Sequence, residues 1–228
     1  MKVFVKNVFN EMKNDIKSIK RIYLAHNFND NEILSFIKDK KISYSFMDLK
    51  AMDKMVEGKH QGIIMVVDDY EYADYKKMLN DKVVVMLDHL EDPHNLGAII
   101  RTVEASGIDG IILPKNRSVS VNETVMQTSV GALYNVNICQ VTNLNQTISK
   151  LKELGFWIIG TDINASNYQD INYPEKSALI IGSEGFGMSR LVKEACDYVV
   201  SIPMNGKINS LNASVAAGIM IYELIRKR

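Results

Sequence analysis

The stretch KVVVMLDHLEDPHNLGAIIRT, Lys82–Thr102, joins an apolar run to a helical pattern through a junction rich in Pro, His, Asn and Gly. Val83–Leu87 shows no polar alternation, which predicts a short strand covered on both faces rather than a half-solvated one. Asp92 and Asn95 are candidate caps for a helix starting at Leu96, Pro93 presets the entry angle, and Gly97 leaves room for a close neighbour. The helix Leu96–Ser106 would close at Gly107. Arg101 lies six residues past Asn95, about 1.7 turns along the helix, among Ile99, Ile100 and Val103. Taken alone it reads first as an exposed Arg on a solvated face, and only second as a group held for a purpose.

Outward from this junction the same alternation repeats. Strand patterns at 111–113, 136–141, 156–161, 178–182 and 198–202 are separated by helical ones near 121–132, 144–154 (closed by Gly155), 188–196 and 211–228. Strands spaced by helices predict βαβ units and a mostly parallel sheet, with ligands beyond the carboxyl ends of the strands. Upstream, residues 1–67 read as a compact α/β unit: a helix over 6–14, a strand over 19–25, a helix from Asp30 capped by its Asp or Asn with Glu32 in the first turn, strands over 42–46 and 62–67, and a short helix near 49–55. The acidic, Tyr-rich segment 68–81 breaks the pattern and is taken as a connector, which divides the chain into 1–67, 68–81 and 82–228.

Bulk numbers narrow the class. In 228 residues, 46% are hydrophobic and 24% charged, ordinary for a globular protein. No apolar run approaches the roughly 18 to 20 residues of a membrane span, and no signal peptide opens the chain, so a cytoplasmic location is expected. Cys139 and Cys196 stand far apart without ligand spacing and read as reduced thiols. Lys and Arg exactly balance Asp and Glu over the whole chain, but residues 1–60 carry 12 basic against 8 acidic groups, a mild excess of +4.

Two further junctions follow apolar strands and so fall on the same rim as the first. IIGSEGFGMSR, Ile180–Arg190, carries three glycines able to open amides toward a ligand, followed by a helix starting at Met188. Its spacing is neither that of the phosphate loop nor that of the dinucleotide fingerprint, and Glu184 inside it would repel a phosphate. SIPMNGKINSLNASVAAGIMIYEL, Ser201–Leu224, makes a tight turn at Asn205-Gly206 and delivers Ser210, Asn212 and Ser214 to a helix mouth. Along that helix Leu211, Val215, Ile219 and Tyr222 form an apolar stripe expected to face the core, beside small residues that would allow close packing, including against a second subunit. His89 and His94 have no evident third partner and do not suggest a metal.

DPHNLGAIIRT, GSEGFGMSRL and SIPMNGKINSLNASVA, in this order, resemble the three signature motifs of the SpoU/TrmH branch of the SPOUT RNA methyltransferases. The N-terminal piece ending in HQGI, His60–Ile63, resembles the ribosomal-protein-like domain of the RlmB-type ribosomal RNA guanosine 2′-O-methyltransferases, without the Gly-containing start before the first helix, where this chain reads VFVKNVF. The resemblance implies a parallel sheet tied in a deep trefoil knot, a homodimer through the terminal helix, and S-adenosylmethionine (AdoMet) as methyl donor, with no metal. It places Gly182, Ile202 and Leu211 at the donor. Asn95, Arg101, Glu184, Ser210 and Asn212 match the family's active-site positions. The implied reaction is 2′-O-methylation of a guanosine in large-subunit ribosomal RNA. Methylation of transfer RNA, or RNA binding without catalysis on the same fold, are the alternatives.

Overall fold

The computed structural model describes residues 1–13, 16–78, 82–108 and 110–226. The chain opens with a strand the sequence pattern did not reveal, β1 (Lys2–Phe4), followed by α1 (Lys6–Met12), β2 (Ile19–Ala25), α2 (Asn31–Asp39), β3 (Tyr44–Met47), α3 (Leu49–Met52) and β4 (Ile63–Val67). These strands form one sheet in the order β1-β4-β2-β3. Only β2 and β3 run parallel; β4 is antiparallel to both β1 and β2. A three-residue strand leaves no readable periodicity, and residue 14 of the expected first helix lies outside the described residues. Between β1 and α1, Val5 holds φ 82, ψ 141, a conformation disfavoured for a β-branched residue, at the point where the family-like glycine is missing. Asp30 caps α2 as expected, its side chain accepting from the Ile33 amide at 3.3 Å.

From Val83 the chain builds β5 (Val83–Asp88), α4 (Pro93–Ala105), β6 (Gly110–Pro114), α5 (Glu123–Thr128), β7 (Asn137–Val141), α6 (Leu144–Glu153), β8 (Trp157–Asn167), β9 (Ser177–Gly182), α7 (Arg190–Glu194), β10 (Tyr198–Ser201) and α8 (Ala213–Arg226). The six strands pair in the order β10-β8-β9-β5-β6-β7, every pair parallel. The apolar runs are continuous because both faces are covered. Val83, Val85 and Leu87 enter one core with Leu179 and Ile181, while Val84 and Met86 enter a second core with Ala178 and Ile180. The first core lies under α4, α5 and α8 and continues into the N-terminal sheet through Val3, Val8 and Phe9. β1 leans on α5: the Lys2 amide donates to Glu123 and the Phe4 amide to Gln127 Oε1. The segment after β4 is docked as well, with the Ala73 amide bonded to the Ile138 carbonyl and the Tyr72 hydroxyl accepting from the Val121 amide.

The C-terminal path decides where the motifs meet. β10 lies at one edge, beside β8, yet α8 returns across the sheet to pack on α4 and β9. The pairing of β10 with β8 jumps from Gly160 to Ser166, so Thr161–Ala165 bulges away from the sheet. Residues 202–212 pass over this end of the sheet, which carries the last motif to the first.

Three expectations about this half change. α4 starts at Pro93, with Asp92 as its cap accepting from the His94 amide at 2.8 Å, so Asn95 is a buried first-turn residue and caps nothing. The helix expected from Met188 is the five-residue α7, entered through Ser189. On α8 the buried apolar residues are Ala213, Ala217, Met220, Ile221 and Leu224, whereas Val215 and Tyr222 of the expected core stripe are 49% and 51% exposed. Small residues let α8 approach α4 closely, and that contact takes the face the larger side chains would have claimed.

Candidate active site

The three motifs converge on one carboxylate oxygen. Asn95 is 5% exposed and donates from Nδ2 to Glu184 Oε1 at 2.7 Å. Asn212 donates from Nδ2 to the same oxygen at 2.7 Å and to Asn95 Oδ1 at 3.0 Å. The Ala213 amide adds a longer bond to Glu184 Oε1, 3.3 Å, at the start of α8, where backbone amides favour an anion. Asn212 is oriented by its other end: Oδ1 accepts from the Ser214 amide at 3.0 Å and from the Ser214 hydroxyl at 2.6 Å, which turns its Nδ2 toward Glu184.

The glycine loop is closed rather than open. Ser183 and Gly187 exchange backbone bonds of 3.0 and 2.9 Å, with Gly187 at φ +65, so the loop is a tight hairpin that presents Glu184 to Asn95 and Asn212. A Cβ on Gly182 would overlap the backbone of Gly187 and Met188. At the apex Phe186 is 97% exposed.

Asp88 is a site residue that motif reasoning missed. It is fully buried at the end of β5, bonds the Ser189 amide through Oδ2 at 2.6 Å, and pairs through Oδ1 with His89 Nδ1. It ties the first loop to the entrance of α7, immediately after the glycine hairpin. A charged residue closing an otherwise apolar strand was the available signal.

Beside the network opens a cavity of about 390 Å³, walled by Gly182, Glu184, Ile202, Ser210 and Leu211 together with the bulged Thr161–Asn164. Its walls include Asp162 and Glu184 and, among the described residues, no Lys or Arg. Asp162 is paired with Lys193 at 2.7 Å; partial burial raises its carboxyl, and the bond to Lys193, the Asn164 and Ile163 amides and the Lys193 charge together outweigh it, leaving it below its ordinary value.

Arg101 joins neither the network nor the cavity. It is exposed, and no partner for it exists among the described residues. Six residues of helix carry a side chain about 9 Å along and about 120° around from Asn95, so the two cannot share a face of α4. His94 is also exposed and reaches Thr128 Oγ1 at 3.3 Å. Among the described residues no group of three His, Cys, Asp or Glu is placed to hold a metal. Burial pushes the Cys139 thiol up to about 12 and the Cys196 thiol up to about 11, so both are poor nucleophiles.

Residues 82–222 match the model of the SpoU rRNA Methylase family. The chain belongs to that family. This SpoU family member also matches, over residues 8–73, a model described as RNA 2′-O ribose methyltransferase substrate binding. It is 47% identical over 206 residues to a protein of Staphylococcus aureus strain COL that carries the name TrmH family tRNA/rRNA methyltransferase, covering 87% of this chain and 83% of the relative. The same identity and coverage hold for a Staphylococcus haemolyticus protein of that name. AviRb of Streptomyces viridochromogenes, a SpoU methyltransferase solved in complex with AdoMet, superposes with a TM-score of 0.85 at 21% identity, over 100% of this chain and 90% of that one. The TrmH/SpoU tRNA modifying enzyme of A. aeolicus superposes with a TM-score of 0.60 at 31% identity, over 67% and 81% of the two chains. The architecture is the knotted α/β fold of the SPOUT methyltransferases, behind an N-terminal domain of the substrate-binding type. The enzyme is an RNA methyltransferase of the SpoU/TrmH family.

Proposed function

We propose that this SpoU enzyme transfers a methyl group from AdoMet to the ribose 2′-hydroxyl of a guanosine in large-subunit ribosomal RNA. Residues 1–67 dock the RNA, 68–81 connect, and 82–228 hold the donor and the reacting ribose. The observation that carries the reading is the Asn95–Glu184–Asn212 network standing at the wall of the 390 Å³ cavity. A cavity of this size suits a small cofactor. Its apolar walls, Ile181, Val200, Ile202 and Leu211, with Glu184 and no basic residue among the described ones, fit a cationic, partly apolar donor and oppose a polyphosphate nucleotide. The backbone of Gly187 and Met188 packs directly on Gly182, so this part of the cavity wall leaves no room for a side chain.

AdoMet, when bound, supplies an electrophilic methyl group on a sulfonium. This chain's residues supply the rest. Gly182, Ile202 and Leu211 hold the donor, and Ser210 lies on the same cavity wall. Glu184, fixed by three donors, keeps the loops together and offers a carboxylate to the donor's positive charge. Asn95 and Asn212 fix that carboxylate and orient the ribose. Arg101 grips an RNA phosphate or stabilises the charge developing on the 2′-oxygen through its guanidinium donors. The exposed face of α8 at Val215 and Tyr222 supports assembly as a homodimer.

Mass-spectrometric mapping of ribose methylation in cells lacking the protein tests the substrate. The expected result is loss of one 2′-O-methylguanosine in large-subunit ribosomal RNA. Loss confined to transfer RNA would replace the ribosomal substrate with the other one, and an unchanged map would overturn the proposal. Arg101→Ala should lower kcat/KM by at least about 100-fold, the scale of a lost transition-state donor, while leaving the thermal midpoint unchanged because Arg101 is exposed and has no partner to lose among the described residues. Calorimetry that found tight ATP binding and no AdoMet binding would sink the assignment of the cavity.

A further inference from the structure

The N-terminal sheet ends in a groove that the methyl-transfer site does not use. Two adjoining concavities, of about 580 and 400 Å³, meet along Asn27 and Leu49 at the carboxyl ends of β2 and β3. β3 is an edge strand, and its Phe46 ring is 49% exposed. The His26 ring lies stacked beside it, centroids 6.0 Å apart and planes at 19°, and Tyr44 braces it edge-on at 5.8 Å. Leu49, 46% exposed, continues the apolar strip into the groove.

Positive charge borders this strip. Lys50, Lys54 and Lys59 line the two concavities, are exposed, and have no partner among the described residues. The neighbouring carboxylates are largely engaged: Asp53 with His60 Nε2 at 3.0 Å, and Asp30 with Lys6 at 2.9 Å. Asp48, 3.8 Å from His26, is the further carboxylate lining the groove, against three ammoniums. The wall is preformed. His60 is 6% exposed and accepts the Gly62 amide at Nδ1, 3.0 Å, and Gln61 and Gly62 hold φ of 53 and 80. The same wall is linked to the first motif. Lys2 Nζ bonds the Met55 carbonyl at 3.4 Å, β1 rests on α5, and Thr128 of α5 touches His94.

Building on the RNA reading above, we propose that this groove seats an unpaired single-stranded segment of the substrate RNA. One base stacks on the Phe46–His26 face, Leu49 underlies its neighbour, and Lys50, Lys54 and Lys59 take successive phosphates. Stacked rings beside unpaired ammoniums suit splayed bases on a polyanion, whereas a duplex keeps its base faces hidden.

The test uses the full-length protein, a short fluorescent single-stranded oligoribonucleotide of mixed sequence, and the duplex of that sequence as competitor. Phe46→Ala should weaken single-strand binding about tenfold or more, with Phe46→Trp retaining it. The triple variant Lys50→Ala, Lys54→Ala, Lys59→Ala should flatten the slope of log affinity against log salt by about 2, three phosphate contacts at about 0.7 each. AdoMet calorimetry on the same variants should be unchanged. Wild-type-like RNA binding by both variants, no binding of the oligonucleotide by the wild type, or equal competition by the duplex would each overturn the groove assignment. If AdoMet still binds and RNA is still methylated in that event, the proposed function stands without it.

Discussion

Removing the Glu184 carboxylate should unfasten the three loops, and the cost follows from which groups lose a partner. In Glu184→Ala, Asn95 Nδ2 loses its acceptor inside a site where Asn95 is 5% exposed, so water cannot replace it fully. A buried donor left unsatisfied costs about 1–3 kcal/mol. Asn212 loses less, because its Nδ2 keeps Asn95 Oδ1 and the residue is exposed enough to be rehydrated. The expected loss is therefore about 2 kcal/mol, or a fall in thermal midpoint of about 4–8 °C for a chain of this size. Glu184→Gln is the informative contrast. Its Oε1 can still accept from both Asn side chains, so only the charge assistance goes, roughly half the strength of such bonds, and the fall should be less than half as large. The assay is a thermal melt followed by circular dichroism, with AdoMet titration calorimetry on the folded variants. Both should weaken donor binding, since the cavity wall loses its negative charge. A Glu184→Ala midpoint within about 1 °C of wild type would refute the reasoning, because it would mean that the network contributes less than about 0.5 kcal/mol.

Other outcomes follow from single features. Gly182→Ala should abolish AdoMet binding in calorimetry while leaving the protein folded or mildly destabilised, because the added Cβ overlaps the backbone of Gly187 and Met188 and must displace the glycine hairpin that forms the cavity wall. Val5→Gly should change stability by less than about 1 kcal/mol in denaturant titration, because relief of about 1–3 kcal/mol of strain at φ 82 offsets the lost side chain. Val8→Gly, in the interior of α1 with no strain to relieve, should cost about 3 kcal/mol, the side chain's burial plus the helix penalty of glycine. Stability should also decline between about pH 9 and pH 11. An unfolded thiol ionises above its ordinary 9.0 while Cys196 holds its proton to about 11 and Cys139 to about 12, so the unfolded state binds fewer protons there. Denaturation midpoints across that range, wild type against a Cys139→Ala, Cys196→Ala variant, should show a shallower decline in the variant.

Much of the architecture was legible in linear patterns because it is local. β2 matches its expected bounds, β5 extends its expected run by one residue, and Gly155 ends α6 at φ +86 where the pattern placed the stop. Capping chemistry placed the start of α2 to within one residue, and the structure chooses Asp30 as its cap. Local rules failed where a distant partner outbid them. Asn95 has the side chain of a cap and sits near a helix start, yet its bonds go to Glu184 and Asn212, which are 89 and 117 residues away. The large apolar stripe of α8 suggested a core face, but Ala213 and Ala217 allow α8 to lie against its neighbours on the opposite side.

The sequence by itself determined that two α/β units follow one another, that the second has a sheet covered on both faces, and that three strand-end loops share a rim; periodicity, caps and glycine stops act within a few residues, so the chain's order suffices to read them. The motifs also carried the family. Only the tertiary structure decided that Glu184 Oε1 is the meeting point of those loops, that buried Asp88 fastens the first loop to the entrance of α7, and that Arg101 stands apart from the cavity in a single chain. Those facts depend on α8 returning from the far edge of the sheet to α4, a long-range packing choice set by the fit of small side chains in three dimensions, which no local pattern records.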